Sequence, residues 1–81
     1  MHIYFKPYSP LTFPGGQGDG KMEIQDDASV ADFLQFLDEH GLLGGYGPQG
    51  VFVIVENCAV RMDYILREGQ AVKVLLQPQG G

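Results

Sequence analysis

The chain has 81 residues, 44% of them hydrophobic and 19% charged, enough for one globular core and too few for two. Ten acidic residues against five basic ones give a formal charge of −5, which disfavours a phosphate backbone as main partner and favours a basic protein surface. The single cysteine, Cys58, excludes an internal disulfide, and no apolar run approaches the ~20 residues of a membrane span.

Met1-His2-Ile3-Tyr4-Phe5-Lys6 lacks the layered layout of a signal peptide, and with the free cysteine this predicts a soluble, cytoplasmic protein. Ile3 and Phe5 alternate with His2, Tyr4 and Lys6, the period of a half-buried strand. Pro7, Pro10 and Pro14 are expected to end regular pairing, and Gly15 to Gly20 reads as a flexible turn region without a phosphate-loop pattern. Lys21-Met22-Glu23-Ile24-Gln25 alternates again, with Met22 and Ile24 on one face, so the two strands predict a hairpin with a long connection. Ser29 is a good helix N-cap, with Asp32 as a weak capping-box partner. Val30, Phe33, Leu34 and Leu37 then fall at i, i+3, i+4 and i+7, one apolar helix stripe, and Gly41 is placed to end the helix in a left-handed conformation. Asp26, Asp27 and Asp32 suit a helix N-terminus better than a metal.

Residues 42–50 form a second Gly-rich loop. Val51-Phe52-Val53-Ile54-Val55 is short, β-branched and apolar, a buried strand. Glu56-Asn57 predicts a tight turn into a short strand, Cys58-Ala59-Val60. Asp63-Tyr64-Ile65-Leu66 predicts a turn of helix, and Glu68-Gly69 the turn into a final strand with Val72, Val74 and Leu76 on one face and Lys73 and Leu75 on the other. The fold class is therefore α+β, with a mixed sheet of about five strands packed on one main helix through a right-handed crossover. Ile3, Phe5, Phe33, Leu34, Leu37, Val72 and Val74 are the expected core. Such an order lets the first and last strands lie side by side mid-sheet, the β-grasp (ubiquitin-like) arrangement, with residues 1–76 as the domain and 77–81 as a flexible tail.

That tail carries the chemistry. After Leu76 the sequence reads Gln77-Pro78-Gln79-Gly80-Gly81, and two terminal glycines bury nothing and lose much entropy when ordered. A carboxylate without a neighbouring Cβ can instead thread a narrow pocket, and extended residues 77–81 reach roughly 16–18 Å.

The run Tyr64-Ile65-Leu66-Arg67-Glu68-Gly69-Gln70-Ala71-Val72-Lys73-Val74, followed by Gly80-Gly81, resembles the ubiquitin-like sulfur carriers of the ThiS/MoaD family. The likeness in element order spans nearly the whole chain. It departs at Val55-Glu56-Asn57-Cys58, where the family carries a Val-Asn-Gly-like turn, and at Pro78, which stands alone between glutamines. The resemblance implies a protein that catalyses nothing and needs no cofactor of its own. A ubiquitin-activating-type adenylyltransferase would use Mg-ATP to adenylate Gly81, sulfur from a persulfide would displace AMP to leave a thiocarboxylate, and a synthase would accept the sulfur. Gly80 would give clearance in the pocket. Leu75 would be an apolar contact with partners, Tyr4 would extend that patch, and Lys73, Gln77, Pro78 and Gln79 would flank it. Molybdopterin, thiamine and other sulfur-metabolite pathways stay open. A ubiquitin-like modifier conjugated through Gly81 and a plain β-grasp binding module are the alternatives.

Cys58 has no expected base beside it, and His2 and His40 with one cysteine make no expected metal site.

Overall fold

Alternation sets the first strand. β1, His2–Pro7, buries Ile3, Phe5 and Pro7 and exposes His2, Tyr4 and Lys6. It pairs antiparallel with β2, Gly20–Glu23, from His2↔Glu23 to Phe5↔Gly20. The structure is a computed structural model that describes residues 1–8, Leu11 and residues 18–77. Pro10, Pro14, Gly15 and Gly16, read above as part of the connection, lie outside the described residues, as do Pro78, Gln79, Gly80 and Gly81.

Pro7 does not end the strand, contrary to expectation. It remains in β1, in register with Val74, and Tyr8 N–H still donates to the Val74 carbonyl at 3.0 Å. In β1 the amides of Tyr4 and Tyr8 face the neighbouring last strand. By strand alternation Pro7 faces the opposite side, past the end of β2, where the ladder asks for no donor.

The helix α1, Val30–Glu39, buries Val30, Phe33, Leu34 and Leu37, the stripe its sequence spells out. Its cap is stronger than the sequence suggested: Asp32 N–H donates to Ser29 Oγ and Ser29 N–H to Asp32 Oδ2, each at 3.1 Å. The other end closes as a Schellman motif, Gly41 N–H to the Asp38 carbonyl and Leu42 N–H to the Leu37 carbonyl, with Gly41 at φ +71°.

Residues 63–66 are the main correction, because they form no helix. Val30 N–H donates to the Tyr64 carbonyl at 2.8 Å, Ala31 N–H to the Met62 carbonyl at 2.9 Å, and Leu66 N–H to the Ala28 carbonyl at 2.9 Å. The stretch from Met62 to Leu66 gives two carbonyls to the open amides of the first turn of α1 and one N–H to the carbonyl of Ala28 ahead of it, instead of forming its own i→i−4 bonds. Ile65 makes an isolated bridge with Ser29, and Leu66 is buried.

β3, Val51–Val55, turns at Glu56-Asn57 into β4, Cys58–Val60, and β5, Ala71–Leu76, closes the sheet. The strand order is β2-β1-β5-β3-β4, with β1 and β5 parallel and the other neighbours antiparallel, so the expected β-grasp arrangement is present. All seven expected core residues are buried. Leu11, Leu43, Leu66 and the inner face of β3 (Val51, Val53, Val55) join them. The Phe5 and Phe33 rings meet edge to face at 5.5 Å and lock sheet to helix.

Candidate functional site

The site is built on β5, which is bonded on both sides. It pairs with β1 from Tyr4↔Ala71 to Pro7↔Val74, and with β3 from Val51↔Leu76 to Val55↔Val72. A strand held on two edges is rigid, and its direction fixes where the chain end leaves the body. Past Leu76, Gln77 N–H donates to the Gly50 carbonyl at 2.9 Å and Gln77 Nε2 to the Val51 carbonyl at 3.0 Å. The first residue of the expected tail is therefore tied to the body twice.

The turn that starts β5 is equally determined, and it explains the most family-like residues in structural terms. Gly69 sits at φ +82°, which a Cβ would strain, and its N–H donates to the His2 carbonyl at 2.7 Å. Gln70 Oε1 accepts Arg67 N–H and Gln70 Nε2 donates to Tyr64 Oη, each at 2.9 Å. Glu68 Oε1 accepts His2 N–H at 3.0 Å. Arg67-Glu68-Gly69-Gln70 thus sets the register of β5 on β1.

The face of the sheet away from α1 carries three of the predicted partner residues, Tyr4, Lys73 and Leu75. Leu75 lies opposite Phe52, Lys73 lies between Ile54 and Lys6, and Tyr4, 50% exposed, lies between Ala71 and Lys21. Phe52, Ile54 and Leu75 are half-buried, an apolar strip beside an exposed tyrosine. A cavity of about 210 Å³ opens next to it, lined by Tyr4, Lys6, Asp19, Gly20, Ala71 and Lys73. All three lysines of this acidic chain, Lys6, Lys21 and Lys73, stand on this face. Net charge could not reveal it, because segregation of charge arises only when strands from both ends of the chain pair.

Sequence reasoning missed Phe52, Ile54, Lys6 and Lys21 as members of this face. Their strand parity was readable, but their adjacency to Leu75 was not. Gly80, Gly81, Pro78 and Gln79 lie outside the described residues. Cys58 is exposed on β4, while His2 Nδ1 stands 3.9 Å from Glu68 Oε2 and the His40 ring packs on Phe36. Among the described residues no three metal-ligating side chains cluster, and no helix is long and apolar enough to cross a membrane.

No protein-family model and no curated protein sequence matches the chain. Solved structures do. Small archaeal modifier protein 1 of Haloferax volcanii is 18% identical, with 93% of this chain and 95% of that one covered and a TM-score of 0.70. A molybdopterin converting factor subunit 1 from Pyrococcus furiosus is 20% identical over 94% and 97%, with a TM-score of 0.72. A chain from the complex of subunits 1 and 2 of the molybdopterin-converting factor of Helicobacter pylori is 12% identical over the whole of both chains, with a TM-score of 0.68. At these identities the likeness is one of fold, and the fold is ubiquitin-like.

Proposed function

We propose that this chain is a ubiquitin-like sulfur carrier whose Gly81 carboxylate is activated by a partner adenylyltransferase. The observation that carries the reading is the position of β5, central in the sheet, bearing the apolar and lysine-lined face, and continuing through the doubly bonded Gln77 toward Gly80-Gly81. In the first step a Gly81 carboxylate oxygen attacks the α-phosphorus of Mg-ATP and pyrophosphate leaves. A persulfide sulfur on the sulfur donor then displaces AMP from the acyl carbon. A thiol cleaves the resulting acyl disulfide, is itself oxidised, and leaves the thiocarboxylate for a sulfur-accepting synthase. Gly80 contributes the lack of a side chain. Tyr4, Lys73 and Leu75 dock the body, and Gln77, Pro78 and Gln79 lead into the pocket.

The structural neighbours support a carrier or modifier rather than an enzyme, and the Helicobacter pylori neighbour is one subunit of a protein–protein complex. Molybdopterin and thiamine pathways both fit the chemistry, as does the cytoplasm, where a thiocarboxylate and a free thiol persist.

The test is intact-mass measurement after incubation with an activating enzyme, ATP and a sulfur donor. The native chain exchanges one oxygen for sulfur, while a chain lacking Gly81 stays at its starting mass with an unchanged melting temperature. Leu75→Asp folds but loads slowly, because it sets a charge in the apolar strip. Equal loading of all three would overturn the reading.

The small archaeal modifier protein 1 neighbour favours a second reading, conjugation of Gly81 to lysines of other proteins after the same adenylation. Higher-mass conjugates in lysate, lost with Gly81, would identify it.

A further inference from the structure

Between the sheet and the chain end stands one residue held by the body. β5 stays packed to its last member, Leu76, which lies opposite Val51 and rests half-buried against the core. Gln77 follows, and its N–H and its Nε2 donate to two successive carbonyls, Gly50 at 2.9 Å and Val51 at 3.0 Å. Backbone and side chain of residue 77 are thus fixed together.

Both acceptors are themselves held. Val51 is buried and begins β3. Gly50 ends the single 3-10 turn Pro48–Gly50, where its N–H donates to the Gly47 carbonyl at 3.1 Å. Tyr46 backs that turn so closely that a Cβ on Gly50 would stand 3.1 Å from Tyr46 Cβ. The side-chain bond also has a defined polarity. Its acceptor is a carbonyl, so only the amide nitrogen of Gln77 can serve, and a carboxylate of the same shape would bring no proton.

Length follows from this attachment. A chain end released at Leu76 spans at most roughly 16–18 Å over residues 77–81, and one released at Gln77 roughly 13–14 Å over residues 78–81. The difference is large against the ~1 Å misplacement that slows a reaction about a hundredfold.

We propose that Gln77 is a positioning residue that clips the root of the chain end to Gly50 and Val51, so that the activating enzyme meets a lever of four residues leaving from a fixed point. The inference rests on the reading of Gly81 as the activated carboxylate. It assigns the Gln77 side chain to the carrier's own body, where it is engaged before any partner arrives. Residue 77 is then ordered on folding and not on binding, which lowers the cost of docking.

Two measurements test this separately. In the free protein, hydrogen exchange reads the clip directly: Gln77→Glu and Gln77→Gly reduce protection of the residue 77 amide about two- to tenfold, the worth of one hydrogen bond to a neutral carbonyl. The melting temperature holds, because Gln77 is exposed at the strand end. Protection equal to the native chain's would overturn the clip, whatever happens at Gly81. With activating enzyme and ATP, both variants form adenylate with KM raised about two- to tenfold and kcat nearly native. Deleting Gln79 shortens the lever and lowers kcat/KM about tenfold or more. Gln77→Gly added to that deletion frees one residue of reach and recovers part of the loss. A direct partner contact at Gln77 predicts two losses that add, and additive losses, or a native KM in both single variants, would overturn the proposal. A native chain that forms no adenylate would instead sink the reading of Gly81, while the exchange measurement still decides the clip.

Discussion

Lys6 and Lys73 stand side by side across the parallel β1–β5 pair, two like charges in register on a protein of net charge −5. Like charges placed directly across strands destabilise a sheet, opposite charges stabilise it, and the difference is about 0.2–1 kcal/mol. Lys73→Glu therefore stabilises the fold by about that amount while slowing adenylation, because it removes a cation from the docking face. Lys6 keeps its place 5.6 Å over the Tyr8 ring. Denaturant unfolding and sulfur-loading kinetics measure the two effects, and a variant that loads as fast as the native chain would show that the lysines do not dock the partner.

Phe33 is buried under the sheet and meets Phe5 edge to face. Phe33→Ala should cost about 3–5 kcal/mol, the usual range for a core aromatic left as a cavity. In a domain this small that loss leaves much of the chain unfolded at ordinary temperature. A melting temperature close to the native one would contradict the packing of α1 on β1.

The Glu56-Asn57 turn is strained. Both residues have positive φ, 53° and 68°, the two-residue hairpin geometry that favours Asn-Gly. The double substitution Glu56→Asn and Asn57→Gly keeps the turn and relieves the clash of Cβ with carbonyl, worth about 1 kcal/mol. In a domain of this length the melting temperature rises by about 4–8 °C. A fall would mean that Glu56 makes an interaction the turn geometry does not reveal.

The Met1 amine and Asp26 form an exposed pair at 2.8 Å. Their hydrogen bond is the main cause that holds the amine above its ordinary value and the Asp26 carboxyl below its own. The depressed carboxyl contributes stability above its unfolded pKa and loses it as pH falls through the folded value. The raised amine contributes below its unfolded pKa and loses it as pH rises through the folded value. Asp26→Asn should flatten both flanks by a small amount, and salt should shrink the difference. Melting temperatures followed across both flanks at low salt provide the measurement; parallel curves for the two proteins would rule the pair out.

Where periodicity carried the information, the sequence by itself determined the outcome. The stripe Val30, Phe33, Leu34, Leu37, the alternation of Ile3 and Phe5 and the β-branched run of β3 are local patterns, and each became the element it spelled. The core followed, because a face that is apolar at the right period has only one place to go. Tertiary structure alone decided the rest. Residues 63–66 look helical in isolation, but Val30 N–H takes the Tyr64 carbonyl, Ala31 N–H the Met62 carbonyl just before the segment, and Leu66 N–H turns to the Ala28 carbonyl. Pro7 reads as a breaker until its missing donor is seen to face the side where β2 has ended. The lysine-lined face exists only because strands 65 or more residues apart in sequence pair in parallel, Tyr4 beside Ala71 and Lys6 beside Lys73. Composition sums charge over the chain, whereas pairing distributes it in space, and a partner meets the distribution.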